Sequence, residues 1–455
     1  MPDRTGLLDP LFGDPVIDTI FANRATLQRM LDAEAALARA EERLGIIPAG
    51  SATAIAACCR AELYDIGQLA HDTAMAGTPV IPLAKALTAL VEQQDAAAAA
   101  FAHWGATSQD IIDTGLMLQS RDAFDHIDVQ LGTLAARLDT LADQHRASLM
   151  PGRTLLQHAV PTVFGLKAAG WLSAVTRHRQ RIKEARPRVL ALQFGGAAST
   201  LASLGDRGSD AARELASELN LSLPDMPWHT ARDRIGEIAC LLGLIAGTVA
   251  KIGKDISLLM ASETAEAFEP AAPGKGGSSA MPQKRNPVAA NVMIAAGLRA
   301  PGLIASILAG QAQEHERAAG LWHAEWLMVP ELFCVTGGAL RACVETIAGL
   351  EIDTARMRAN LDLSGGRMLA ERVSLALAPA LGRRQAAAAV EAAAKASVAR
   401  QLPFREALLA QPDIIKSLST ATLTALLDPA GYLGSADAFI GAARAAHAEF
   451  EQRKG

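Results

Sequence analysis

Aromatic residues are scarce in this sequence, at 4% of positions with only two tyrosines, although half of all residues are hydrophobic. Much of the apolar content is alanine, which favours closely packed helices over sheets. Cysteine is scarce too. Five residues are too few and too scattered for a disulfide scaffold, and the adjacent Cys58 and Cys59 cannot form a spaced metal-ligand pair. Cys240, Cys334 and Cys343 stand in apolar helical surroundings and read as core thiols, which suits a reducing cytoplasm. No block of one charge occurs: 43 basic residues stand against 48 acidic ones, for a net charge of −5. Nucleic acid and anionic membrane are therefore not expected as partners. The opening MPDRTGLLDP is acidic and proline-bearing, unlike a secretory signal. Apolar runs such as Leu241 to Ala250 stop at a lysine, short of a membrane span. Nor is a cofactor or metal implied. No dinucleotide fingerprint follows a strand, no GK[ST] phosphate loop is present, and His315, Glu316 and His323 lack H-E-x-x-H spacing.

What the sequence does have is helical periodicity. Across 24–44, residues Leu27, Met30, Leu31, Ala35, Leu37 and Ala38 fall on one broad face, with Gly45 and Pro48 as the stop. Further helices are expected over 110–149, 162–192, 230–265, 288–320 and 327–350, and little reads as strand. Several exceed 25 residues without strict heptads, a length suited to a large bundle buried against other subunits. Interruptions at 101–109, 268–287 and 361–367 divide the chain into 1–110, 111–360 and 361–455. The expected architecture is all-α: a long central helical bundle flanked by two smaller helical domains.

The most informative segment is GKGGSSAMPQKRNP, residues 274–287. Its glycines let backbone N–H groups approach an anion, and its lysines, arginine and amide suit the same ligand. By composition alone it would equally serve as a solvated linker. The order of residues decides otherwise: it resembles the signature loop GSSxMPxKxNP of the fumarase/aspartase superfamily. Two further stretches, HWGATSQDIIDT (103–114) and GRTLLQHAVPTVFGLKAAGW (152–171), resemble its other conserved regions, so the likeness spans most of the chain. The resemblance implies that Ser278 moves a proton at the carbon next to a substrate carboxylate, and that Lys284 and Asn286 hold that carboxylate. It also assigns substrate contacts to Thr107, Ser108 and Gln157. Removing such a proton adds charge to a carboxylate, so the chemistry needs fixed donors and cations in a site closed to water. Serine is a poor base at neutral pH and has to be activated. Ser108 reads alternatively as a helix N-cap, a role compatible with anion binding.

One departure narrows the reaction. Most of these lyases carry histidine directly after GRT; here the position is Leu155, and the nearest imidazole is His158. The triplet Ala70-His71-Asp72 and the run after Arg317 also depart from the adenylosuccinate lyase pattern. A carboxylate leaving group has no use for a general acid, because it departs as a stable anion. The stretches LFGDPVIDTIF, TLLQHA and RANLDLSGGRMLAERVSLALA resemble the branch of the superfamily that closes a lactone within a muconate, a step of protocatechuate breakdown. A substrate with extra carboxylates calls for extra cations, for which Arg317 and Lys275 are candidates. His158 and His71 are candidate catalytic helpers, each also readable as a structural histidine, and Arg317 also as a salt-bridged surface residue. The resemblance further implies a homotetramer whose active sites combine segments of three chains, acting on a small polycarboxylate. Two alternatives stand beside this reading: a sibling lyase releasing fumarate, and a non-catalytic helical scaffold.

Overall fold

The computed structural model describes residues 6–277 and 281–453; Ser278 lies outside them. The principal elements are α1 (Asn23–Arg43), α2 (Ile66–Ala76), α3 (Ser108–Gln144), β1 (Leu149–Thr154), β2 (Gln157–Val163) and α4 (Phe164–Val189). They continue with α5 (Gly208–Leu219), α6 (Asp233–Leu259), β3 (Ala267–Phe268), α7 (Val288–Ala309), α8 (Leu321–Ala348) and β4 (Glu351–Ile352). Short helices then lead to α9 (Ala370–Leu381), α10 (Arg383–Ala399) and α11 (Ala436–Gln452). The all-α class expected from periodicity holds, with two small antiparallel pairs, β1–β2 and β3–β4, as the exceptions.

Packing divides the chain into two units. One comprises residues 1–131, 178–250 and 292–342; the other comprises 132–177, 251–291 and 343–455. In the first, α1 buries all six residues of its anticipated face. It also buries Ala33, Ala36 and Ala40, so it is enclosed nearly all round, and this brings two carboxylates inside: Glu34 and Glu41 are 1% and 0% exposed. Glu34 accepts from His103 at 2.6 Å. Burial drives the His103 pKa down, but the charge and hydrogen bond of Glu34 outweigh it and hold it above its ordinary value. Among the described residues Glu41 has no such partner. Burial, reinforced by Glu34, pushes its carboxyl up to about 8. In the second unit, Val373 and Leu377 of α9 and Val390 of α10 pack with Phe404 of the following short helix into a separate C-terminal core.

Several expectations need correcting. The α7 helix ends at Ala309 rather than near 320, because 310–320 is irregular, and α8 starts at Leu321 and runs through Pro330. Cys240 is exposed, unlike Cys334 and Cys343, since it stands on the outer side of α6. Three helices (α6, α7 and α8) are long and apolar enough to cross a membrane by length and composition. Judging single runs that end at a lysine understated this, because one charge scarcely lowers the mean over a whole helix. Finally, 149–163 is a hairpin. Its two-residue turn, Leu155-Leu156, has φ of 50° and 64°, the doubly left-handed geometry that closes twisted strands. Gly152 sits at a register shift where a Cβ would lie 2.7 Å from the Val160 carbonyl.

Candidate functional site

The N-terminus of α3 organises the first unit's polar cluster. Ser108 is the first helical residue, so the capping position expected for it falls to Thr107, whose N–H donates to Asp110 Oδ2 at 3.0 Å. Asp110 is 1% exposed and accepts also from the N–H groups of Gly195 and Gly196, at 3.0 and 2.9 Å. His229 Nε2 lies 2.8 Å from the same carboxylate, and His229 Nδ1 lies 3.0 Å from Ser199 Oγ. Gln109 donates to the His229 carbonyl and to Asp113. Arg317 completes the cluster, donating to Gln109 Oε1 and to the Ala197 carbonyl, both at 3.2 Å. Thr107, Ser108 and Arg317 are thus brought together. His71 stands apart on the exposed face of α2, and no hydrogen bond among the described residues joins it to this cluster.

Beneath the cluster lies a buried ion network. Arg232 donates to Asp113 at 2.7 and 3.1 Å and to Glu325 at 2.5 Å, all three residues being 1% to 2% exposed. Trp322 Nε1 donates to Asp113 Oδ1 and Gln313 Nε2 to Glu325 Oε1, each oxygen also accepting from Arg232. Burial raises the Glu325 pKa despite Arg232, because desolvation there exceeds the gain from the guanidinium. The network ties α3, the residue before α6, and α8 together within this unit, holding the helical scaffold on which Thr107 and Ser108 stand.

The second unit carries the other predicted residues in two places. In the hairpin, Gln157 pairs with Thr154 beside the turn and is exposed, while half-buried His158 pairs with Arg153. Burial, then the Arg153 charge, lowers the His158 pKa, with Glu266 opposing. Arg153 forms a bidentate pair with buried Glu266 at 2.8 and 2.6 Å, and Asn360 donates to the same carboxylate. In the signature loop, Asn286 N–H donates to the Gly276 carbonyl at 2.8 Å and its side chain donates to Gly277. Gly276, at φ 70°, is required there, since a Cβ would meet the Asn286 carbonyl at 2.8 Å. Glu269 anchors the loop from below: it accepts from Ala289 and Ala290 at the start of α7, and Lys275 approaches it at 3.9 Å. Lys284 is exposed on the loop. No hydrogen bond among the described residues joins the Gln157 or His158 side chain to this loop. Sequence reasoning missed Ser199, His229 and Asp110, and also Arg153 and Glu266. No local signal in QFGGAAST or PWHTARDR marks the first two, which meet Asp110 only through tertiary packing.

A family model described as "Lyase" matches residues 13–302, and one described as "Adenylosuccinate lyase C-terminus" matches 366–443. The chain belongs to this lyase family, the fumarase/aspartase superfamily of its motifs. Among its relatives, 3-carboxy-cis,cis-muconate cycloisomerase of Pseudomonas aeruginosa is 50% identical over 97% of this chain and 96% of that protein. Nitrosuccinate lyase of Streptomyces davaonensis is 42% identical over 96% and 94%. The crystal structure of 3-carboxy-cis,cis-muconate lactonizing enzyme from Pseudomonas putida superposes with a TM-score of 0.93 at 48% identity, covering 98% of this chain and 99% of that one.

Proposed function

We propose that this chain is a 3-carboxy-cis,cis-muconate cycloisomerase, interconverting 3-carboxy-cis,cis-muconate and its carboxymuconolactone in protocatechuate breakdown. The observation that carries the reading is the 50% identity to the Pseudomonas aeruginosa cycloisomerase along nearly the whole of both chains. In the lactonising direction one substrate carboxylate adds across a double bond, and the carbon next to another carboxylate takes up a proton. Ser278 moves that proton. Lys284 and Asn286 hold the carboxylate whose charge rises in the intermediate, where fixed donors matter most. Thr107, Ser108, Gln157 and Arg317 bind the remaining carboxylates, and His158 and His71 assist. The attacking or departing carboxylate needs no proton, consistent with Leu155 at the hairpin turn.

The enzyme works as a homotetramer in the cytoplasm, each active site drawing on several chains, with the tripartite division 1–110, 111–360 and 361–455. Leu298 and Leu327, 82% and 65% exposed on α7 and α8, support association, as does α7, whose most apolar stretch is only 28% buried within one chain. Five cysteines without a disulfide support a reducing compartment. Loss of the ultraviolet absorbance of the conjugated diene on adding enzyme to 3-carboxymuconate tests the activity; an unchanged spectrum rejects it. Ser278→Ala should abolish turnover with the fold retained, and near-normal turnover would remove Ser278 from its role. Sedimentation at the mass of four chains tests the assembly. The 42% identity to nitrosuccinate lyase favours, as second reading, a lyase acting on a substituted succinate, so nitrosuccinate is the comparison substrate.

A further inference from the structure

In the first unit a hydrogen-bonded chain leads from a buried carboxylate to a cavity. Asp110 already accepts from the amides of Thr107, Gly195 and Gly196, so toward His229 it is an acceptor again, and Nε2 carries the hydrogen. In the neutral imidazole Nδ1 is then left as an acceptor, to which the Ser199 hydroxyl donates across 3.0 Å. His229 is 1% exposed, whereas half-buried Ser199 lines a cavity of about 570 Å³ together with Phe194, Arg213 and Pro227. Ser199 has φ 61°, a conformation in which a non-glycine residue is strained by roughly 1 kcal/mol or more. A hydroxyl stands where glycine would sit more easily. Two residues before it, the Ala197 carbonyl accepts from Arg317, and Arg317 meets the His229 backbone through Gln109. The chain therefore shares its loop with a cation already assigned to the substrate.

We propose that Ser199 is a further substrate-binding residue, and that it grips a substrate carboxylate with uptake of a proton by His229. A carboxylate only accepts, so Ser199 has to turn its hydrogen away from Nδ1 and toward the ligand. Nδ1 then faces the Ser199 oxygen lone pairs and needs a hydrogen of its own. A buffer acid supplies it: its bond to the proton breaks as the Nδ1–H bond forms, leaving the conjugate base in solution and an imidazolium between the Asp110 carboxylate and Ser199. The groups facing His229 allow this. Asp110 is its direct partner, and Gly195 lies against the ring edge. Asp113, reached through Gln109, is already paired with Arg232. Arg317 opposes the new charge, and the bound carboxylate offsets both. Asp206 and Asp225, also on the cavity wall, add a repulsion that the imidazolium counters. The arrangement selects a substrate with one carboxylate more than a simple succinate. In this it rests on the polycarboxylate reading of the substrate.

Calorimetric titration with tricarballylate, a tricarboxylate that cannot react, in two buffers of different ionisation enthalpy reads the proton count. The wild-type chain should take up about one proton per ligand bound, with affinity falling as pH rises. Ser199→Gly, which suits the backbone and so keeps the fold, should abolish that uptake and weaken binding roughly ten- to hundred-fold, the worth of a hydrogen bond to a charged group. In turnover of 3-carboxymuconate the loss should fall on KM rather than kcat. His229→Asn should also abolish the uptake. Absence of proton uptake by the wild type, absence of tricarballylate binding, or unaltered uptake in Ser199→Gly would overturn the proposal. Proton-coupled binding without turnover of 3-carboxymuconate would instead remove the cycloisomerase reading and leave Ser199 in place.

Discussion

Glu41 offers a sharp electrostatic test of the fold that holds the first unit. Its carboxyl is fully buried on α1, neither oxygen has a hydrogen-bond partner among the described residues, and Glu34 lies on the same helix. Burial and that neighbour push its pKa from the ordinary 4.5 to about 8. At neutral pH the folded chain keeps this proton while the unfolded chain releases it. The folded state binds more protons throughout the interval, so stability must fall as pH rises from about 4.5 to about 8, and level off above. Each pH unit well inside the window is worth roughly 1 kcal/mol or a little more, so raising the pH from about 5.5 to about 7.5 should lower the free energy of opening α1 by roughly 2–3 kcal/mol. Native-state hydrogen exchange of the α1 amides, corrected for intrinsic rates, reads that quantity locally. Glu41→Gln has no proton to exchange, so the difference between wild type and variant should widen steadily across the window in the variant's favour. Parallel curves would refute the reasoning, because they would mean that Glu41 is ionised inside the fold.

Other consequences follow from the same structure. Arg232→Met leaves Asp113 and Glu325 buried without their cation; a loss of about 3–5 kcal/mol in chemical denaturation is expected, and Glu325→Gln in the same background should recover part of it. Gly152→Ala forces a Cβ against the Val160 carbonyl. It should cost about 1–3 kcal/mol and disturb the Arg153–His158 register, detectable as altered chemical shifts along the hairpin.

The parts of this protein that were legible in its sequence are those set by periodicity. The six apolar positions of α1 and the run Ile238, Leu242, Ile245, Val249 and Ile252 on α6 are buried as a 3.6-residue repeat demands. Order along the signature loop was legible for a different reason, its resemblance to a known residue pattern beginning at Gly277; the glycine that the backbone requires, Gly276, stands one residue before that pattern. The hairpin was not legible. Its turn is Leu-Leu at positive φ, without the Asn-Gly or Asp-Gly that normally announces such a turn, and its first strand holds Pro151 and Gly152. The Asp110–His229–Ser199 chain was hidden too, because residues at 110, 199 and 229 meet only through tertiary packing. A lone histidine in PWHTARDR carries no sign of what it faces.

Leu155 is where the absence of a residue becomes chemically testable. It stands at the turn between β1 and β2, with φ 50° and 97% exposure, in the place where the family pattern has histidine. If that histidine serves sister lyases as an acid, its value scales with the basicity of the departing group: large for an amine or alkoxide, and close to nothing for a carboxylate of pKa near 4. Leu155→His should therefore leave kcat for 3-carboxymuconate within about threefold of wild type, since a general acid worth roughly 10²–10⁴ elsewhere has no proton to give here. The backbone tolerates the exchange, because histidine enters the left-handed region more readily than leucine does. Stopped-flow absorbance at saturating substrate reads kcat directly. A tenfold or greater acceleration would mean that the carboxylate leaves or attacks with a proton after all, and the reason for assigning this chain to lactone chemistry rather than to an amine-releasing lyase would lose its physical basis.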